Sequence, residues 1–273
     1  VFALKQHLAA TDAVVSAIGP VVPVFAGEGP LGGRLACHLE LHAIELRAPS
    51  ILGLAHRVAG VVLRMGLGGG FAEEAAGSAN CHITGLTLSP AQLAFAQQRA
   101  QSGGWDHQAS FQLTDYRDVQ GQYDHIVSVE MFEAVGERWW PTYFKTLRKL
   151  LKPGGKAVVQ VITINDEAFK KYKRGTDFIQ RHVFPGGMLP SPGAFQQQAT
   201  RAGLRIIDDY AFGQHYARTL GLWHEAFLER LIDVKAKGFD ERFVRLWRFY
   251  LSYCEAGFRA RSIDVHQYTL TTA

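Results

Sequence analysis

The residues best placed to do chemistry sit where apolar runs end. "VVLRM" (61–65) closes on a glycine cluster, Gly66, Gly68, Gly69 and Gly70, and "GFAEEAAG" then starts a helix. Glycines between a strand and a helix let the backbone approach a bound cofactor; the same pattern alone is also a plain turn. Read in isolation, this loop fits a nicotinamide-dependent oxidoreductase, but the next strand ends in "TLS" and offers no acid for a ribose. Arg64 stands where such first strands often carry an acid. Two glutamates, Glu130 and Glu133 in "EMFEAVG", follow a further apolar run, "HIVSV". An acid at a strand-helix junction either serves a ligand or complements the positive end of a helix.

The elements that must position these groups alternate. Strands are expected at 61–65, 82–88, 109–113, 125–129 and 156–164. Between them, "SPAQLAFAQQRAQSGG" carries Ser89 as N-cap, Pro90 in the first turn and Gly103-Gly104 as a stop. An amphipathic helix is expected over 139–155, ended by Pro153-Gly154-Gly155. Strands and helices alternating at this spacing imply an open, mostly parallel α/β sheet, whose ligands lie beyond the carboxyl ends of its strands. After 164 the rhythm breaks. A basic, aromatic and Pro/Gly-rich excursion runs to about 192, followed by a short helix, a strand at 205–212, two amphipathic helices (218–238 and 240–260) and a last strand, "IDVHQYTL".

Bulk properties narrow the class. The 273 residues are 47% hydrophobic, enough for one large domain or slightly more. The 29 Lys+Arg against 25 Asp+Glu give only +4, and no nucleic-acid-reading motif is present, so no nucleic-acid partner is expected. Cys37, Cys81 and Cys254 are odd in number and far apart, which argues against a disulfide framework or a zinc site and for a reducing, cytoplasmic setting. No metal site is expected. No apolar run reaches the ~18–20 residues of a spanning helix. The apolar stretch 13–27 is interrupted by Gly19, Pro20 and Pro23 and is not expected to be a signal peptide. With Val at position 1, the chain reads as a fragment or processed product.

From about Gly70 to Thr269 the chain resembles the cyclopropane-fatty-acyl-phospholipid synthase family, which includes the mycolic acid cyclopropane synthases. The resemblance rests on "GGFAEEAA", "ITGLTLSPAQLAFAQQRA", "YDHIVSVEMFEAVGERWWPTYFKTLRKLLKPGG", "VQVITI", "FIQRHVFPGGMLPS", "YARTLGLWHEAF" and "FRARSIDVHQY", in the family's order. It implies a class I methyltransferase fold: a Rossmann-like, mostly parallel seven-stranded sheet with helices on both faces and a helical lid. A methyltransferase domain over 61–273, with lipid-binding insertions near 165–192 and 217–260, would follow a segment 1–60 that shows no match.

The resemblance also implies S-adenosylmethionine as cofactor. Gly66, Gly68 and Gly69 would admit its methionyl end. Thr87, Leu88 and Gln92 would lie at its ribose, Asp115 and Tyr116 near its adenine, and Glu130 near it at the end of the fourth strand. The implied reaction is attack of a cis alkene of an unsaturated acyl chain on the sulfonium methyl, then loss of a proton to close a cyclopropane; plain methylation of the same alkene is the alternative. A bound bicarbonate would be the base, held by Glu133, Tyr216 and the backbone of Ile162. Gln160 stands where some members have histidine, and Leu67 where the family has cysteine. Glutamine donates a hydrogen bond but takes up no proton at pH 7. Implied partners are an unsaturated phospholipid or acyl chain, and peripheral contact with the inner face of a membrane. The basic aromatic run "FKKYKR" (169–174) with Arg181 either meets its headgroups or is only a solvated face. Nine rings of the excursion and late helices (Phe169, Tyr172, Phe178, Phe184, Trp223, Phe227, Trp247, Phe249, Tyr250) either line an acyl channel or simply pack.

Besides these departures and the unmatched residues 1–60, the pattern fails at the first strand and its loop. Arg64 replaces the family's acid, and one residue is missing before "GFA". Like charges ~6 Å apart at an effective dielectric near 20 cost roughly 2–3 kcal/mol, so an inward Arg64 opposes a cationic cofactor. A diverged or replaced N-terminal part, an out-of-frame join, and a lipid-binding relic with a broken loop each account for it.

Overall fold

The computed structural model describes residues 59–64, 70–79 and 81–273. The loop with Gly66, Leu67, Gly68 and Gly69, and the segment before Ala59, lie outside the described residues.

Seven strands form one sheet: β1 (Ala59–Arg64), β2 (His82–Thr87), β3 (Ala109–Leu113), β4 (Tyr123–Val129), β5 (Leu151–Ile164), β6 (Leu204–Ala211) and β7 (Ile263–Thr272). Their order is β3-β2-β1-β4-β5-β7-β6. β1 to β5 are mutually parallel, and β7 runs antiparallel between β5 and β6. The order reverses between β1 and β4, which puts the crevice of an open α/β sheet beyond their carboxyl ends.

Period-two alternation gives the sheet two apolar faces. Ala157, Val159 and Val161 of β5 and Tyr268 and Leu270 of β7 face one core, built with α4 (Trp140–Leu150) and α7 (Pro192–Arg201). In α4 the buried residues Trp140, Tyr143, Phe144, Leu147 and Leu150 fall three to four apart, one stripe of a helix. On the opposite face, α1 (Gly70–Ala79) and α2 (Pro90–Gly103) cover Ile83 and Val127. There too α8 (Gly213–Glu229) and α10 (Glu241–Arg259) enclose Ile162 and Val265. α2 starts as its sequence dictates: the Ser89 hydroxyl accepts the Gln92 N–H, Pro90 fills the first turn, and Gly104 ends it at φ 72°.

Two expected boundaries move. The helix expected over 139–155 ends at Leu150, and Pro153-Gly154-Gly155 belongs to the start of β5. Gly155 is packed against backbone, so a Cβ there would lie 2.7 Å from the Asp124 carbonyl oxygen and 2.9 Å from that of Lys152. The glycine serves a close approach between β5 and β4. The helix expected from 218 begins at Gly213, whose N–H donates to Asp264 Oδ1 at 2.7 Å. That cap comes from β7, 51 residues away. The same helix breaks at Arg230, giving α8 and the short α9 (Leu231–Ala236). The excursion after β5 contains no strand; it carries α5 (Asp166–Tyr172) and α6 (Phe178–His182).

Candidate active site

The carboxyl ends of β2, β4 and β5 bring most of the expected residues to one edge of the sheet. Glu130 follows β4 directly and has φ 45°, a left-handed backbone that a glutamate rarely adopts. Such a conformation costs ~1–3 kcal/mol and persists where surroundings enforce it, often at functional sites. Here they do. The Glu130 N–H donates to the Gln160 carbonyl at 2.9 Å. Its Oε1 accepts two hydrogen bonds, from the Tyr216 hydroxyl at 2.6 Å and from Gln160 Nε2 at 3.0 Å. Burial and the Glu130 charge push the Tyr216 hydroxyl well above the ordinary phenol pKa, so it stays a donor.

Gln160 is 3% exposed and pairs across β5/β7 with Gln267, which is 0% exposed. Gln267 Nε2 donates to Gln160 Oε1 at 2.8 Å. β5 is long enough to carry Ile162 past the end of β4, whose last residue pairs with Gln160. The Ile162 N–H donates to Glu133 Oε1 at 2.6 Å. Glu133 lies in the first turn of the four-residue helix α3 (Phe132–Val135). Its carbonyl accepts the Met188 N–H at 2.8 Å, which ties the site to the excursion. Within the excursion, the Tyr172 hydroxyl accepts the Leu189 N–H at 3.2 Å, and burial raises its pKa to about 12.

At the end of β2, the buried Thr87 hydroxyl donates to Gln92 Oε1 at 2.7 Å and accepts the Ser89 N–H at 3.1 Å. Leu88 beside it is half-buried. Beyond β3, Asp115 makes a two-pronged pair with Arg117, Oδ1 to Nε at 2.9 Å and Oδ2 to Nη2 at 2.7 Å. That guanidinium holds the Asp115 carboxyl below its usual range. Tyr116 meets Tyr143 edge-on at 5.7 Å and is raised to about 12 by burial.

Tyr216, Gln160, Ile162, Glu130 and Glu133 thus converge, in a pairing that sequence reasoning did not contain. Tyr216 and Gln160 both serve Glu130, whereas Ile162 serves Glu133. Gln267 was missed. Its signal was there: in "IDVHQYTL" it shares the inward face of β7 with Val265 and Thr269, and a fully buried amide among apolar neighbours needs a partner. The nine rings divide. Phe227 is core, while Trp223, Trp247 and Tyr250 pack partly buried against it. Phe169 stacks near Trp140. Phe184 and Phe249 are exposed at 41% and 52%.

The mycolic acid cyclopropane synthetase family profile matches residues 53–268. Tuberculostearic acid methyltransferase UfaA1 of Mycobacterium tuberculosis is 45% identical over 210 residues, 77% of this chain and 49% of that protein. Cyclopropane-fatty-acyl-phospholipid synthase of Escherichia coli K12 is 36% identical over 208 residues, 76% of this chain and 52% of that protein. The chain therefore spans about half the length of these relatives. Among solved structures, mycolic acid cyclopropane synthase CmaA1 complexed with SAH and CTAB shares the fold at TM-score 0.81 and 24% identity, over 98% of this chain and 96% of that one. Cyclopropane synthase MmaA2 from Mycobacterium tuberculosis does so at TM-score 0.78 and 24% identity, with the same coverage. By its profile, its relatives and its class I methyltransferase fold, the chain belongs to the cyclopropane-fatty-acyl-phospholipid and mycolic acid cyclopropane synthase family.

Proposed function

We propose that this chain is the S-adenosylmethionine-dependent part of an enzyme that adds one carbon to the cis double bond of an unsaturated acyl chain, with cyclopropanation as the first reading. The observation that carries it is the pair of gripped carboxylates, Glu130 and Glu133, at the ends of β4 and β5 in a chain of this family. Methyl branching of the same alkene is the second reading, favoured by the 45% identity to a protein named as a tuberculostearic acid methyltransferase. The domain itself would run over 61–273.

The described donor set fits the cofactor. Asp115 and Glu130 supply two carboxylates, and Thr87 and Gln92 supply polar groups beside the strand ends, a combination suited to a cation with hydroxyls. When bound, S-adenosylmethionine supplies an electrophilic methyl group. Glu130 would face its positive charge, Thr87, Leu88 and Gln92 its ribose, and Asp115 and Tyr116 its adenine. The loop of Gly66, Gly68 and Gly69 would admit its methionyl end. The late helices exclude water with Trp223, Phe227, Trp247 and Tyr250, which protects positive charge on the acyl chain from quenching. Bicarbonate would have to share or displace hydrogen bonds already made, as the cofactor would at Asp115, Thr87 and Gln92. The Ile162 N–H and the Tyr216 hydroxyl, its expected donors, already serve Glu133 and Glu130.

Cells expressing the chain are expected to gain one CH2 on monounsaturated lipid chains by mass spectrometry. Proton NMR then separates a cyclopropane ring from a branched methyl. Lipids identical to those of cells carrying Glu130→Gln would refute the assignment.

The acyl chain would be taken from a bilayer surface. Among the described residues no helix is long and apolar enough to cross a membrane. Phe178 packs on Phe249 and Tyr253 at ring distances of 4.5 and 5.8 Å, and Phe249 and Tyr253 are 52% and 41% exposed. Arg242, Arg245 and Arg248 are exposed on the same helix, α10. Exposed rings beside arginines suit the headgroup boundary of an anionic bilayer. Phe249→Ser with Tyr253→Ser should reduce cosedimentation with vesicles of half phosphatidylglycerol about tenfold or more, since each inserted ring contributes ~1–2 kcal/mol. Binding equal to the parent chain would remove this surface from the reading.

A further inference from the structure

The carboxylate of Glu130 is linked by two successive side-chain hydrogen bonds, through Gln160, to Gln267 on β7. An ionised carboxylate only accepts hydrogen bonds. Gln160 must therefore turn its Nε2 toward Glu130, as it does at 3.0 Å. That leaves Gln160 Oε1 pointing the other way, where only a donor satisfies it, and Gln267 Nε2 is that donor at 2.8 Å. Each amide fixes the next. Without the Gln267 donor, Gln160 Oε1 would be left buried with its partner gone, and the amide would lose the contact that holds its far end.

Three features make this coupling specific. Gln160 and Gln267 are directly opposite partners in the β5/β7 ladder, so their side chains leave the same face. Both are nearly or fully buried, at 3% and 0% exposure, where water does not substitute for a lost donor. And Gln160 grips Glu130 twice, through its amide and through its backbone carbonyl, which accepts the Glu130 N–H at 2.9 Å. The left-handed backbone of Glu130 is held by that second grip.

We propose that Gln267 is a positioning residue of the site: through Gln160 it holds the Glu130 carboxylate in its binding orientation. The proposal rests on the reading of Glu130 as a ligand of the cofactor. It also makes β7 part of the site's machinery.

The decisive variant is Gln267→Glu. A protonated glutamate at 267 still donates to Gln160 Oε1. An ionised one only accepts, so it turns the Gln160 amide round and presents its oxygen to Glu130. Burial raises such an acid into the range of about pH 6 to 8.5. Affinity for S-adenosylhomocysteine, measured by calorimetry, should match the parent chain within about threefold at the acid end. It should fall about tenfold or more toward the alkaline end, while the parent chain stays flat. A parallel melting curve at each pH restricts the comparison to folded protein. In a Gln160→Leu background the added pH dependence should vanish, because the relay is cut. A flat profile for Gln267→Glu, or a pH dependence that survives Gln160→Leu, overturns the proposal.

A second readout does not need the cofactor or the glutamate variant. In chain labelled with 15N-glutamine, the Gln160 side-chain amide (identified by its loss in Gln160→Leu) should give two sharp, distinct proton signals. Gln267→Leu should broaden them by conformational exchange or move them toward the shifts of an exposed glutamine amide; unchanged signals would refute the relay. If the parent chain binds no S-adenosylhomocysteine at any pH, the cofactor reading fails, and the amide signals still decide whether Gln267 orients Gln160.

Discussion

Exchanging Glu130 for glutamine is expected to weaken S-adenosylmethionine binding about 100-fold while leaving the fold intact. The estimate is electrostatic. A unit charge ~6 Å from an opposite charge, at an effective dielectric near 20, contributes ~3 kcal/mol, which is about two decades in affinity. The substitution isolates that term. Glutamine at 130 pays the same backbone cost at φ 45° as glutamate does. Its carbonyl still accepts the Tyr216 hydroxyl, now 2.6 Å from Oε1, so the packing of α8 on the site is retained. Calorimetry with S-adenosylmethionine and S-adenosylhomocysteine measures the effect, and the pair of ligands adds information. A larger loss for the sulfonium ligand places the methyl donor's own charge near Glu130; equal losses place the ammonium there. Affinity unchanged for both would remove Glu130 from the cofactor site. The same measurement on the parent chain tests the altered first loop, because a chain with Arg64 directed inward should bind the sulfonium ligand poorly even with Glu130 in place.

Much of the frame was legible because it is locally encoded. Ser89, Pro90 and Gly104 mark α2 within one stretch of sequence, and an alternating run marks β2 and apolar runs mark β4 and β5. The points that moved are those decided from far away. Gly213 starts α8 because Asp264, 51 residues on, accepts its N–H. Pro153-Gly154-Gly155 looks like a helix stop, but its last glycine answers a close approach to the backbone of Asp124. The site divides the same way. Its members could be nominated from motif resemblance, since each lies in a recognisable stretch. Their pairing could not. Glu130 meets Gln160 across 30 positions, Tyr216 across 86, and Gln160 meets Gln267 across 107. Only the sheet register sets those encounters, and it depends on β7 inserting antiparallel between β5 and β6. The exposed rings of α10 show the converse limit. Helical spacing predicts a buried stripe at Val244, Leu251 and Phe258. It does not predict that Phe249 and Tyr253, on the other side, join Phe178 from the excursion.

Phe132→Ala is expected to be the most damaging single change outside the polar network, lowering stability by about 3–5 kcal/mol. Phe132 is 0% exposed and its ring lies 5.0 to 5.4 Å from those of Tyr143, Trp140, Phe195 and Phe144. Three of those contacts are edge-on, each adding roughly 0.5–1.5 kcal/mol beyond burial. The neighbours come from α4 and α7, so an empty space at 132 opens the joint between two helices and does not close by local collapse. α3 itself has four residues and no side-chain cap, and its position rests on this ring. Glu133 is the next residue. Its grip on Ile162 and Met188 depends on where α3 sits. The variant should therefore lose about 10 °C in melting temperature, at roughly 2–4 °C per kcal/mol for a domain this size. It should also weaken the link between the site and the excursion, seen as faster proteolysis within 165–192. Phe132→Leu, which keeps most of the volume but not the edge-on contacts, should fall between the two. A melting temperature within a degree or two of the parent for Phe132→Ala would mean that the ring cluster does not hold α3, and the geometry of Glu133 would then need another support.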